Sequence, residues 1–392
     1  MTTSSDVFAK RRAGALDEAY EMALELMDKP HPDEWERRAM GWCLVDLIKR
    51  DATAGQLQQL AKYRSQLEAL QIGTDDEVLQ KSIRKAVLLC SPNGAMIKEA
   101  SERSKQGAYD KAVEIYRRAS AIAPFDAETQ TSFAWDLYKH ARQLLDREHV
   151  NFGSVKRNIN DYLRLETAKP SLLHTCFLQL AAKLAGQEKL SMLKFSRLWD
   201  FQHLRAEDFK RYVDKEGKEH SSLAEKVIQL AGKEAATSEE VDDVDYILPH
   251  LGAAIERFPD NIWLQLDKAK VLRRAGRYAD ALNFAKAVVK AKANEYWAWE
   301  LLGDVVGTDD PAAALSCYCK ALCCPADDKF TDKLRLKLAK LMAAVDDVAA
   351  AKHEVERVLK RREDEGQRIP EGATQFSRAP WFTGVQARAT LK

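Results

Sequence analysis

The sequence predicts an all-α fold, a solenoid of stacked helical hairpins with an irregular central insertion. Three observations predict it. Ala, Leu, Lys, Glu and Arg dominate the chain, and these are the strong helix formers. Glycine (17) and proline (11) are sparse for 392 residues, which argues against a turn-rich all-β fold. The chain is too long for one compact core of ordinary size, and a pattern of small and aromatic residues recurs along it.

Residues 1–50 carry a weak copy of this pattern in Gly14, Leu16, Ala19, Ala23 and Leu26, followed by Pro30. Residues 51–100 read as helices without the pattern. Apolar spacing runs from Thr53 to Leu70, and Gly73 to Asp76 starts a further helix that ends near Ser91–Gly94.

Residues 101–150 hold the clearest copy. Gly107, Tyr109, Ala112, Tyr116 and Ala119 precede Pro124. On a helix these fall on one face. The small residues let a neighbouring helix approach and the aromatics fill the space between. Gly107 suits a tight turn before the helix, and Pro124 ends it.

Residues 151–235 depart most and read as a divergent helical insertion. Trp199 to Phe209 is rich in aromatics, and Asp214 to Lys218 reads as the turn of a hairpin or loop. Ser222 caps a new helix from Leu223, with Glu225 placed for a capping box.

Residues 236–365 return to the pattern. Gly276, Tyr278, Ala281, Ala285 and Val288 form one copy; Ala314, Tyr318 and Ala321, followed by Pro325, form another. A last helical pair starts at Asp327 and Asp346. Residues 366–392 change character and read as an extended tail with Trp381–Phe382 as a docking point, or equally as a segment that packs back on the last repeat.

The order Gly, aromatic, Ala, aromatic, Ala, Pro resembles the second helix of a tetratricopeptide repeat, a unit of about 34 residues. The resemblance implies a right-handed α-solenoid. Small residues where the paired helices cross fit it: Gly41, Ala134, Ala269 and Gly303, the last two 34 residues apart. One hairpin cannot bury its apolar face alone, so stacked neighbours stabilise it. The stretch Trp199 to Glu225 is faintly similar to bacterial repeat proteins of phage-defence and other conflict systems.

Composition narrows the chemistry. Basic (61) and acidic (60) residues balance, unlike the basic excess of a dedicated nucleic-acid binder. Seven cysteines lack framework spacing, and no apolar run approaches the ~20 residues needed to span a membrane. A soluble, cytoplasmic protein without a membrane partner is the expectation.

Cys317, Cys319, Cys323 and Cys324 do not read as a zinc site. At ~100° per residue, Cys317 and Cys324 share one helix face while Cys319 and Cys323 share roughly the opposite one. The eight histidines form no metal-binding motif, and no phosphate-cradling or nucleophile motif occurs. No catalytic residue, metal or cofactor is expected.

In tetratricopeptide arrays the first helix of each pair (helix A) lines a concave groove. Carried over from the four crossing residues, the groove positions are Trp35, Arg38, Trp42 and Val45; Glu128, Thr131, Trp135 and Tyr138; Trp263, Leu266, Lys270 and Arg273; and Trp297, Glu300, Asp304 and Gly307. The partner-binding candidates are Arg38, Trp42, Trp135, Tyr138, Trp263, Lys270 and Arg273. Trp, Tyr and Arg dominate binding hot spots. The asparagine of the family's carboxylate clamp is absent. The first reading is a non-catalytic scaffold or adaptor that grips a protein partner or extended peptide, in a bacterial defence complex by the second resemblance. The alternative is an RNA or single-stranded nucleic-acid binder, for which aromatics with Arg and Lys are the required residue types.

Overall fold

Helix formers and correctly placed breakers produce helices almost everywhere. In the computed structural model, the described residues are 2–54, 56–73 and 75–389. Thr74, within the expected helix start at Gly73–Asp76, and residues 390–392 of the expected tail lie outside them. Two units are distinguished, Met1–Lys169 and Pro170–Lys392.

The first unit contains α1 (Ser4–Arg12), α2 (Leu16–Met27), α3 (Glu34–Ala54), α4 (Leu57–Ala69), α5 (Glu77–Leu89), α6 (Gly94–Lys105), α7 (Tyr109–Ser120), α8 (Ala127–Leu145) and α9 (Phe152–Leu163). Most helices pack on their chain neighbours, most extensively α6 on α7, α8 on α9 and α2 on α3, while α4 and α5 both pack on α3. The clearest sequence copy becomes α7. Gly107 precedes it with φ of +76°, a left-handed conformation that costs glycine little. Ala112 and Ala119 are fully buried, and Tyr116 lies 5.0 Å from Phe133 of α8, ring centre to ring centre. The alanines thus set the close approach and the tyrosine fills the gap beside it.

The second unit begins with α10 (Leu172–Gly186) and α11 (Met192–Trp199). Two short 3-10 turns follow, Phe201–His203 and Ala206–Phe209, then an antiparallel hairpin of β1 (Tyr212–Val213) and β2 (Glu219–His220). Its register pairs Tyr212 with His220 and Val213 with Glu219. The Asp214 carboxylate closes the turn, accepting the backbone N–H groups of Glu216 and Lys218 at 2.9 Å each. After the hairpin come α12 (Leu223–Ala235) and α13 (Val241–Arg257). The capping box at α12 forms as the spacing requires: Ser222 Oγ accepts the Glu225 N–H, and Glu225 accepts the Ser222 N–H at 2.9 Å.

The remainder is an array of helical hairpins: α14 (Ile262–Arg274) with α15 (Tyr278–Ala291), α16 (Tyr296–Val306) with α17 (Pro311–Leu322), and α18 (Asp332–Ala344) with α19 (Val348–Asp364). The crossing residue Gly303 is pressed against the Tyr318 ring, so that an added Cβ would overlap it. The fold is therefore all-α, of stacked hairpins in the tetratricopeptide manner. Among the described residues no helix is long and apolar enough to cross a membrane.

The tail packs back on the last hairpin rather than extending from it. Residues after Gly366 form α20 (Glu371–Ser377) and α21 (Pro380–Gly384). Ile369, Phe376, Trp381 and Phe382 pack on the cluster built by α18 and α19. The reason is the apolar face that the last hairpin would otherwise leave uncovered. Trp381–Phe382 thus docks on its own chain.

Candidate nucleic-acid interface

The groove positions divide between the units. In the first, the Arg38 guanidinium pairs with Glu34 at 2.5 Å and with Asp75, and lies 5.2 Å above the Trp35 ring. Its charge is matched within the chain, while Trp35 is 61% exposed. Trp42 is covered by Arg11, whose guanidinium sits 4.6 Å from the ring centre and pairs with Asp46 at 2.6 Å. Val45 is fully buried. Trp42 therefore packs with Arg11 of α1, a helix that contacts α3, and Val45 belongs to the core. Trp135 and Tyr138 are half-buried and meet edge to face at 6.0 Å and 77°.

In the second unit the positions converge more closely. Trp263 and Trp297 stand in the first turns of α14 and α16. Their rings stack with centres 5.6 Å apart and planes 26° apart. Trp263 is 44% exposed, and the Trp297 indole N–H donates to Glu295 at 3.1 Å. Lys292, from the turn before α16, places its Nζ 5.7 Å from the Trp263 ring centre. Cations favour such aromatic faces. Lys270 is half-buried and enters no ion pair among the described residues.

A ladder of charge runs beside this stack. Arg273 of α14 pairs with Asp304 of α16. Asp304 also accepts the Tyr318 hydroxyl at 2.7 Å and Lys337 of α18 at 2.7 Å. Lys337 in turn reaches Glu300 at 2.7 Å. Burial and the neighbouring Asp304 carboxylate push the Tyr318 phenol well above its ordinary range. Leu266 is buried and contributes to the core. Among the groove candidates here, Trp263 and Lys270 remain available at the surface, whereas Arg273 is occupied.

Sequence reasoning passed over Lys292 and Lys337. Lys292 lies outside the first helix of any pair; its signal was the Lys290-Ala-Lys292 run before Trp297. Lys337 has no counterpart in the carried-over positions. Cys317 and Cys319 lie in α17, and Cys323 and Cys324 follow its end at Leu322; Cys317 and Cys324 are buried, Cys319 is half-buried and Cys323 is exposed. Among the described residues no group of three or more His, Cys, Asp or Glu side chains is placed to hold a metal ion.

The hairpin region joins the start of α14 through one buried carboxylate. Glu225 accepts Arg211 at 2.6 Å and the Asn261 amide at 3.0 Å, and is fully buried. Arg211 also pairs with Asp260 at 2.6 Å. Burial, which disfavours the charged Glu225, is outweighed by these hydrogen bonds and those from Ser222, so its carboxyl is held below the ordinary range. The aromatic pair thus begins two residues from a rigid hub.

Residues 262–392 match a family described as "Domain of unknown function (DUF7017)", a match that begins at the first residue of α14. No curated protein matches the chain. Among solved structures, the chain is similar to one described as "Human IFIT1 dimer with m7Gppp-AAAA", at 12% identity and a TM-score of 0.37, covering 94% of this chain and 77% of that one. A monomeric IFIT1 mutant with Gppp-AAAA is similar at the same identity and TM-score, covering 94% and 78%. Likeness of that degree says nothing about what this chain binds.

Proposed function

We propose that the chain is a non-catalytic repeat scaffold that binds single-stranded nucleic acid on the helix-A face of its C-terminal array. The observation that carries this reading is the Trp263–Trp297 stack, in which Trp263 is 44% exposed, Trp297 is half-buried and Lys292 lies over the Trp263 ring. Base stacking on an aromatic is worth roughly 1–3 kcal/mol per base and tolerates any sequence. Lys270 of α14 and Lys292 over the Trp263 ring are cations for the backbone. Few cations imply a shallow dependence on salt, since each phosphate contact contributes a slope of about −0.7 for single strands.

Fluorescence anisotropy with a labelled 15-nucleotide single-stranded RNA tests it. Binding at low salt that weakens at least tenfold in a Trp263→Ala/Trp297→Ala variant is the expected result. Absence of binding at low salt overturns the reading.

A second reading is favoured by the Arg273–Asp304–Lys337–Glu300 ladder. Alternating charges suit a peptide of mixed charge better than a polyanion, as an adaptor in a larger complex would require. Affinity purification with and without nuclease separates the two. A stoichiometric protein that survives nuclease and is lost in an Arg273→Glu variant supports the adaptor.

A further inference from the structure

The β1–β2 hairpin walls a cleft of about 660 Å³ in the second unit. That volume falls in the range of roughly 300–1,000 Å³ typical of small-molecule sites. Thr175, Arg205, Lys210, Tyr212, His220 and Lys226 line it. None of these was singled out as a groove position, and the strand-binding reading of Trp263 and Trp297 makes no use of them.

Several of these side chains are held in place before any ligand arrives. Arg205 Nε donates to Thr175 Oγ1 at 2.8 Å, and its Nη2 lies 3.4 Å from Asp208 Oδ1. Asp208 is 4% exposed and also accepts the Thr175 hydroxyl at 2.9 Å and the Arg205 N–H at 2.9 Å. The guanidinium is thereby locked at the cleft wall with 22% of its side chain exposed. A planar, pre-oriented guanidinium is suited to an oxyanion.

Tyr212 is 59% exposed and stacks on His220 with ring centres 4.7 Å apart and planes 11° apart. His220 is itself anchored, its Nε2 lying 2.6 Å from Asp214 Oδ2. The hairpin beneath is pinned by Arg211 to the buried Glu225. One face of Tyr212 is therefore supported and the other is open. Lys210 and Lys226 are exposed and enter no ion pair among the described residues. The carboxylates on the same cleft are Asp208, already engaged by Arg205 and Thr175, and Glu207, whose side chain is 60% exposed and 4.0 Å from Arg205.

We propose that this cleft binds a nucleoside monophosphate, with the phosphate held by Arg205, Lys210 and Lys226 and the base stacked on Tyr212. Neither element suffices alone. Exposed lysines would take any anion weakly, and a lone tyrosine would take any flat ring. Their placement around one cleft selects a ligand that carries both. Because Arg205 is hydrogen-bonded in place and Tyr212 is stacked on the anchored His220, these two forfeit little rotamer freedom on binding, and the two lysines supply adjustable charge.

Isothermal titration calorimetry on the full chain tests this. The four ribonucleoside 5′-monophosphates are titrated separately, alongside the matching nucleosides and inorganic phosphate. At least one monophosphate should bind saturably and at least tenfold tighter than its nucleoside and than inorganic phosphate. Tyr212→Ala and Lys226→Glu should each weaken it at least tenfold, while Trp263→Ala leaves it unchanged. All three side chains are exposed, and an unchanged thermal melt confirms that each variant folds. Three results overturn the proposal: no heat from any of the four at millimolar concentration, inorganic phosphate binding as tightly as the monophosphates, or equal affinity in the Tyr212→Ala and Lys226→Glu variants. Because Trp263→Ala serves as the internal control, loss of strand binding and loss of nucleotide binding are read independently.

Discussion

Trp199 and His174 clasp each other by two reciprocal hydrogen bonds. The Trp199 indole N–H donates to the His174 carbonyl at 3.0 Å, and His174 Nε2 donates to the Trp199 carbonyl at 3.1 Å. The rings stack in parallel between these bonds, 4.1 Å apart and 5° from coplanar, and both residues are fully buried. The pair joins α10 to the end of α11 where the chain leaves the helical pattern.

Buried and exposed tryptophans should therefore behave differently. Trp199→Ala should destabilise the second unit by about 3–5 kcal/mol, through the cavity and an unpaired carbonyl. Trp263→Ala, at the surface, should stay within about 0.5 kcal/mol. Urea denaturation followed by circular dichroism compares them; equal midpoints would contradict the assignment.

The Arg211–Glu225 pair should anchor the hairpin. Arg211→Met leaves a buried carboxylate without its main partner and should cost about 3–5 kcal/mol, part of which Arg211→Met/Glu225→Met should restore. The folded-state carboxyl titrates below its ordinary value of 4.5. Its stabilisation is then fully present above pH 4.5 and is lost as pH falls through the lower folded-state value. Thermal melting from pH 3 to pH 7 should show the wild-type advantage over Glu225→Gln shrinking toward acid.

Asp267 should show the opposite sign. It is 5% exposed on α14, and its Oδ2 has no hydrogen-bond partner. Burial raises its carboxyl to about 7, against the partial opposition of Lys270 and Lys233. The contribution of Asp267 to stability is most favourable below pH 3.8, where the carboxyl is protonated folded or unfolded, and falls as pH rises to about 7. Asp267→Asn should stabilise the chain at pH 8 by on the order of 2–4 kcal/mol and have little effect at pH 4. A variant less stable than wild type at pH 8 would contradict this.

Gly303 should tolerate no side chain. An added methyl meets the Tyr318 ring, whose hydroxyl is tied to Asp304 at 2.7 Å and cannot swing away freely. Gly303→Ala should cost about 1–3 kcal/mol, and Gly303→Ala/Tyr318→Leu less than the sum of the two single changes. Additive losses in thermal melts would mean the two do not touch.

Much of the fold was legible because its determinants are local. The order of Gly107, Tyr109, Ala112, Tyr116 and Ala119 sets a turn, a helix and its buried face within thirteen residues. The Ser222–Glu225 capping box and the Asp214 turn were readable for the same reason. The sequence left the tail open between an extended arm and a segment packed on the last repeat, because Trp381 and Phe382 stand among polar residues, and only the cluster on α18 and α19 shows what they cover. The place of Trp42 after Gly41 is readable in the sequence, whereas the Arg11 guanidinium over its ring comes only from the packing of α1.

What the chain by itself determined is periodicity: which residues are helical, where each helix ends and which face is apolar. Tertiary structure decided which charges and rings remain available to a ligand. Arg273 and Asp304 are 31 residues apart and neutralise each other, whereas Trp263, Trp297 and Lys292 meet from two helices and a turn and stay partly exposed. Helix formation depends on neighbours within a turn or two along the chain, but the free valence of a charge depends on whatever folding brings within a few ångströms of it.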